Sequence, residues 1–193
     1  MQGGILMVHG SPTDNNAGDY KRGALRAINN SDFTVLAEFD TPDWSPDKAQ
    51  EWVAGQLTQY SGQFSGIYAA NDGTASGAIA ALKAANVSPW PIVTGQDAEL
   101  AAVQRIVSGE QYMTVYKAIR LEAERAAEVA VALALGRTVI GETTVDGTPA
   151  SLFDPVSVTI DTIMQTVVAD GFWTVAESCT PDYAAACTAA GIE

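Results

Sequence analysis

Carboxylate, amide, ammonium and indole groups recur at five places along the sequence, each just after a short apolar run. They are Asp14 and Asn16 in His9-Gly-Ser-Pro-Thr-Asp14-Asn15-Asn16, Trp44 in Asp40-Thr-Pro-Asp43-Trp44, Asn71 in Asn71-Asp72-Gly73, Asp97 in Gly95-Gln96-Asp97, and Lys117 after Tyr116. An ionised carboxylate accepts from two adjacent hydroxyls, an amide or ammonium donates to hydroxyl and ring oxygens, and a flat indole covers an apolar C–H face. That mixture suits a neutral sugar. A phosphate would call for a glycine-rich turn and surplus positive charge, and the sequence offers neither.

Each of these residues also has a plainer reading. Asn16, Asp72 and Asp97 stand where helix N-caps belong. Trp44 is placed to staple the helix that starts at Ser45, and Lys117 ends an alternating strand where a solvated lysine is ordinary. Both readings stay open for each residue, and their joint position favours the ligand. Enzymatic chemistry is poorly supplied: His9 is the single histidine and reads as structural, and no Gly-x-Ser-x-Gly elbow is present. A metal site would have to be built from oxygens alone, without an EF-hand spacing, so no metal or cofactor is expected.

The elements that position these groups follow from periodicity. Ile5 to Val8, Phe33 to Phe39, Gly66 to Ala70, Ile92 to Thr94 and Tyr112 to Tyr116 are short apolar or alternating runs and predict strands. Between them, Ala17, Tyr20, Ala24 and Ile28, then Ala49, Trp52, Val53, Gln56 and Tyr60, then Ala75, Ile79 and Leu82, then Leu100, Val103 and Val107 fall at helical spacing. Asn15 or Asn16, Ser45 before Pro46, Asp72 and Asp97 mark the helix starts. Strand and helix in alternation with short connections predict an α/β fold, a doubly wound parallel sheet. Ligands of such a sheet bind outside the carboxyl ends of its strands, which is where the five polar loops fall.

A further helix is predicted from Ile119 to Leu135, stopped by Gly136; its second half, from Val129 to Leu135, is apolar on every face and calls for cover on more than one side. Residues 138–155 read as a loop or short hairpin, Val156 to Ile160 as a strand and Asp161 to Ala169 as a helix. Beyond Phe172 the tail reads as irregular, with a short helix at Tyr183 to Ala190.

With 193 residues the chain has the size of one well-buried α/β domain. Its 10 basic residues against 23 acidic ones give a formal charge of −13, which repels nucleic acid and anionic membrane alike. Although 47% of residues are hydrophobic, no apolar run approaches the roughly 20 residues that span a bilayer, and Met1-Gln-Gly-Gly does not begin a secretion signal. The two cysteines, Cys179 and Cys187, lack the two further ligands that zinc takes; they are either a disulfide, which implies an oxidising compartment, or two free thiols.

Four segments in order, Gly10-Ser-Pro-Thr-Asp-Asn-Asn-Ala17, Ala70-Asn-Asp-Gly-Thr-Ala-Ser-Gly-Ala-Ile-Ala-Ala-Leu82, Thr94-Gly-Gln-Asp-Ala-Glu-Leu100 and Met113-Thr-Val-Tyr-Lys117, resemble the xylose-binding proteins of sugar ABC transporters, within the type I periplasmic binding-protein fold. The resemblance covers the chain to about Ile140 and, more weakly, its end. It implies that residues 1–193 form the C-terminal sugar-binding lobe, with Asp14 and Asp97 accepting from hydroxyls, Asn16, Asn71 and Lys117 donating to sugar oxygens, Trp44 stacking, and Asp72 and Gln96 supporting or capping. It further implies a monosaccharide ligand of the xylose kind, a membrane permease as partner, and a periplasmic or lipid-anchored cell-surface location. Members of the family carry an N-terminal lobe with its own contacts and a secretion signal, so the sequence is expected to hold one wall of a two-walled cleft. The 119–136 helix is expected to pack on that other lobe or, without it, to fold back or mediate self-association. The runner-up reading, an effector domain of a sugar-responsive transcription regulator, shares the fold but requires a basic helix-turn-helix before residue 1 and free thiols in the 171–193 tail. A small α/β enzyme on a sugar or acyl substrate is the third.

Overall fold

The computed structural model describes residues 3–192. The chain divides into two compact units, one running to Val115 and resuming at Ser157, the other Tyr116–Val156.

In the first unit, the strands β1 (Gly4–His9), β2 (Thr34–Asp40), β3 (Phe64–Ala69) and β4 (Ile92–Val93) alternate with the helices α1 (Asn15–Asn29), α2 (Pro46–Gln59), α3 (Asp72–Ala84) and α4 (Leu100–Val107). The strands form one parallel sheet in the order β2-β1-β3-β4, the doubly wound α/β arrangement that the alternation predicts. Leu6 and Val8 of β1, Ile67 and Ala69 of β3 and Val93 point to one face, where they bury Ala49 and Val53 of α2 and Ala75, Ala78, Ile79 and Leu82 of α3. Each fully buried Leu, Ile or Val contributes about 1.5–3 kcal/mol. The two helices run so close that any side chain at Gly77 would collide with the Pro46 carbonyl.

Strand β5 (Met113–Tyr116) departs from the expected single sheet. It pairs with β8 (Val156–Thr159) in a two-stranded sheet and touches β4 through the Tyr112 N–H, which donates to the Val93 carbonyl at 2.9 Å. The reason lies in β4: Pro89 and Pro91 offer no N–H at its entry. At its exit the Thr94 hydroxyl takes the Ala69 N–H at 3.1 Å, leaving a two-residue strand too short for a full ladder.

The tail is more ordered than its sequence suggests. Two short helices, α6 (Val175–Ser178) and α7 (Ala184–Ala190), are stapled by a Cys179–Cys187 disulfide and pack on α4, with the Gln104 amide donating to the Glu177 carbonyl at 3.0 Å. The helix predicted over Asp161 to Ala169 is instead a turn followed by a wider coil at Met164–Val168, in which Val168 and Ala169 donate to Ile163 and Met164, five residues back. The Thr166 hydroxyl occupies the Thr162 carbonyl at 2.6 Å, the acceptor that the Thr166 N–H would need to continue a regular turn.

The second unit consists of helix α5 (Ile119–Ala134) and the hairpin β6 (Thr143–Val145) and β7 (Thr148–Ala150), turned at Asp146 (φ 47°) and Gly147 (φ 78°). Arg125 of α5 reaches the hairpin side, donating to the Ser151 hydroxyl at 3.0 Å and the Ile140 carbonyl at 3.2 Å. The cover that the apolar second half of α5 calls for is not supplied: no residue of the helix is buried, and Val131, Leu133 and Leu135 stand exposed.

Candidate functional site

Strands β1, β2 and β3 end level with one another, with His9 opposite Asp40 and Val8 opposite Ala69, so the loops that leave them open on one edge. Asp14 stands at that edge as the N-cap of α1: one carboxylate oxygen accepts the Asn16 N–H at 2.9 Å. Its other oxygen accepts the Trp44 indole N–H at 3.1 Å. Trp44 ends a single tight turn at Pro42–Trp44, where Asp43 (φ 52°) and Trp44 (φ 57°) both take left-handed backbone, at a cost of about 1–3 kcal/mol each. The indole lies directly against Gly10, where any side chain would overlap the ring, and the Tyr20 ring meets its edge at 6.4 Å between centroids.

The sequence marks helix starts at Asn15 or Asn16, Asp72 and Asp97 as caps or first-turn residues; Asn15 and Asp72 do open their helices, each one residue after the cap, whereas Asp97 lies outside α4. Asp14 caps α1, Asn71 caps α3 and Glu99 precedes α4, because the residue with extended backbone just before the first turn is the one whose carbonyl and side chain can serve it. Ser45 caps α2 ahead of Pro46 as expected. At Asn71 the cap uses only the amide oxygen, which accepts the Thr74 N–H at 2.8 Å and hydroxyl at 2.9 Å, and leaves the amide N–H2 as the group to donate elsewhere.

Asp97 is half-buried and has φ 105°, with Ala98 next to it at φ 52°. Two consecutive left-handed residues that are not glycine persist only where neighbours over-determine them. Here the Asp97 N–H donates to the Val115 carbonyl at 2.9 Å, the Ala98 N–H to the Thr114 hydroxyl at 3.1 Å, and the Trp173 indole N–H to the Ala98 carbonyl at 2.7 Å. Sequence reasoning missed Trp173 and Thr114: their partners are remote in sequence, 75 positions away for Trp173.

The structure therefore brings Asp14 and Trp44 into direct contact and sets Asn71 and Asp97 on neighbouring strand ends, where the Asp72 N–H between them donates to the Gln96 carbonyl at 2.8 Å. Asn16 is exposed in the first turn of α1. Lys117 directly follows β5, half-buried, at the start of the second unit.

His9 is buried under α1, with Nε2 at 3.2 Å from Glu38 on β2 and its ring 5.9 Å from that of Tyr68. Its Nδ1 has no partner among the described residues. Burial lowers the imidazole below its ordinary 6.5 against the opposing pull of Glu38, and it pushes the Tyr68 phenol up to about 12. Lys21 bridges Asp40 at 2.9 Å and Glu38 at 3.7 Å above them. Among the described residues, no cluster of three or more His, Cys, Asp or Glu is arranged to hold a metal, and no helix is long and apolar enough to cross a membrane.

Residues 2–138 match the family model described as periplasmic binding protein domain. The D-xylose-binding periplasmic protein of Escherichia coli is 36% identical over 179 residues, covering 89% of this chain and 54% of that protein. The protein of the same description from Haemophilus influenzae is 36% identical over 181 residues, with 90% and 54% covered. The chain thus spans about half the length of the curated relatives it matches. Among solved structures, an ABC transporter solute-binding protein from Clostridium phytofermentans with bound β-D-glucose superposes with a TM-score of 0.80 at 25% identity, over 91% of this chain and 60% of that one.

Proposed function

The chain belongs to the periplasmic binding protein domain family, and from that premise we propose that it binds xylose or a related monosaccharide, without covalent chemistry, as part of the substrate-binding component of an ABC sugar importer. One observation carries the reading: an acceptor and aromatic pair, Asp14 with Trp44, shares the carboxyl edge of the sheet with Asn71 and Asp97. In this reading Asp14 and Asp97 accept from sugar hydroxyls, Asn16, Asn71 and Lys117 donate, and Trp44 covers the C–H face of the ring. Residues 1–193 supply the C-terminal wall of a two-walled site, and closure of the two walls over the sugar is what a permease reads.

Location follows the same line. The Cys179–Cys187 bridge suits an oxidising, extracytoplasmic compartment, and it disfavours an intracellular effector domain. Helix α5, with no buried residue, is the surface through which the chain associates with a second copy when nothing else covers it.

The test is titration of the chain with a panel of pentoses and hexoses, followed by NMR because one wall binds only weakly. Expected are shifts of the Trp44 indole and of the Asn71 and Asp97 amides that vanish in Asp97→Ala. A panel in which no sugar moves these signals sinks the reading.

A further inference from the structure

Asp72 has no accessible surface, and every polar atom it owns is engaged. Its Oδ1 accepts the Gln111 amide at 2.8 Å; its Oδ2 accepts the Glu99 N–H and the Thr114 hydroxyl, each at 2.9 Å. Its N–H donates to the Gln96 carbonyl at 2.8 Å, and its carbonyl accepts from Arg105 at 3.1 Å. Arg105 in turn donates to Gln111 at 3.0 Å, and Gln111 donates to the Met113 carbonyl at 3.0 Å. Any side chain at Gly95 would overlap both the Asp72 carboxylate and the Gln111 amide, so the chain passes there without one. The 95–99 turn and the entry and body of β5 thus meet on a single carboxylate at the start of α3, and α4 is held to the carbonyl of the same residue.

We propose that Asp72 is a positioning residue of the sugar site, whose negative charge holds the 97–99 turn against β5 and so fixes Asp97 and Asn71 at the edge of the sheet. The inference rests on the sugar-binding reading only for what the site takes; the positioning itself is a matter of geometry. The left-handed backbone at Asp97 and Ala98 is kept by bonds to β5, and two of the groups involved, the Glu99 N–H and the Thr114 hydroxyl, end on one oxygen of Asp72. Three donors converging on one carboxyl favour its ionised form, against the burial that disfavours it.

The same burial makes the charge conditional. Desolvation raises the Asp72 carboxyl to about 6 against the three donors, and Glu99 on the turn pushes the same way. The other charged side chain facing it is Arg105 of α4, itself shared with Glu99, Glu110 and Tyr183. The carboxyl therefore changes charge near pH 6 at the point where the turn meets β5, and the turn and the sugar affinity respond to pH there.

An NMR pH titration of the protein from about pH 7 to about pH 5 tests this. The Asp97, Ala98 and Glu99 amides are expected to move together with a midpoint about 6, and not to move in Asp72→Asn, while the amides of α2 stay in place in both. Thr114→Val, which removes one of the three donors, is expected to raise that midpoint, and it serves equally if Asp72→Asn fails to fold. Sugar affinity is expected to fall about tenfold in Asp72→Asn at neutral pH and to lose its dependence on pH, about 1.4 kcal/mol of binding energy by the usual conversion. Amides that do not titrate, or that titrate alike in wild type and Asp72→Asn, overturn the proposal. Titration of the turn in a chain that binds no monosaccharide upholds the positioning role and overturns the sugar reading instead.

Discussion

Trp44 and Asp14, thirty positions apart, are joined by a 3.1 Å hydrogen bond from the indole N–H to the carboxylate, and the same carboxylate caps α1. One side chain thereby serves two loops. The bond fixes the angle of the indole, and the cap fixes the carboxylate that makes the bond.

Asparagine and alanine at position 14 should separate these two duties. Asparagine has one amide oxygen, enough for the Asn16 N–H, but it presents N–H2 to the indole; alanine serves neither. We expect Asp14→Ala to cost about 1 kcal/mol of stability through loss of the cap, Asp14→Asn only a few tenths, and both to shift the Trp44 indole resonance. Urea denaturation and indole NMR measure both effects. Equal stability of the two variants would contradict the double role.

Gly10→Ala should displace the indole without touching either polar partner, because its methyl group falls inside the ring's volume. Overpacking of this kind costs about 1–3 kcal/mol. Denaturation together with Trp44 fluorescence should show a destabilised chain with an altered indole environment, and an unchanged spectrum would mean that the ring does not lie against Gly10.

The parallel sheet and the polar edge were legible in the sequence because their signals are local. Ile5 to Val8 is an unbroken apolar run of strand length, and Asp14, Trp44, Asn71 and Asp97 each fall a few residues after a strand. Long-range groups were not legible. Trp173 sits in a tail with no periodicity, yet it holds the carbonyl next to Asp97; Thr114 reads as one more alternating strand residue until its hydroxyl is seen between Ala98 and Asp72. At Asp161 to Ala169 the helical period was present, but the Thr166 hydroxyl took a carbonyl that a regular helix needs. The caps fell one residue early at α1 and α3, where two adjacent residues can each serve and only the backbone conformation chooses.

The stability of the fold should carry two opposed pH dependences. The Asp72 carboxyl is raised from 3.8 to about 6 by burial, so its contribution is fully present below 3.8 and is lost as pH rises through about 6. The His9 imidazole is lowered from 6.5 by burial, so its contribution is present above 6.5 and is lost as pH falls through its folded value. Asp72→Asn removes the first and keeps the second. Its stability relative to wild type should therefore rise between about pH 4 and about pH 6, read from denaturation midpoints at each pH. A constant difference would show that Asp72 does not titrate in the folded protein.

Replacing Cys179 and Cys187 by serine opens a loop with a separation of 8 residues. Chain entropy alone sets the cost at about 2.5 kcal/mol. The loss should spread beyond the tail, because α6 and α7 pack on α4 and Trp173 reaches the Ala98 carbonyl. Hydrogen exchange should quicken at Ala98 and along α4 but not in β1, and acceleration confined to residues after 174 would show that the staple serves the tail alone.

Helix α5 should drive self-association that salt strengthens. Ile119, Leu121, Val131, Leu133 and Leu135 are exposed on or beside it, an apolar surface of the kind that monomers seldom leave uncovered. Between copies of charge −13 the electrostatic term is repulsive. Salt screens that repulsion, with a Debye length of about 10 Å at 0.1 M and about 3 Å at 1 M, and leaves apolar contact intact. Sedimentation velocity at increasing salt should therefore show a growing dimer fraction, and Leu133→Glu should return the chain to monomer without loss of stability, since that side chain is exposed. Association that weakens with salt would point to ion pairs instead, and a chain that stays monomeric at every salt and concentration would show that α5 tolerates water as it stands.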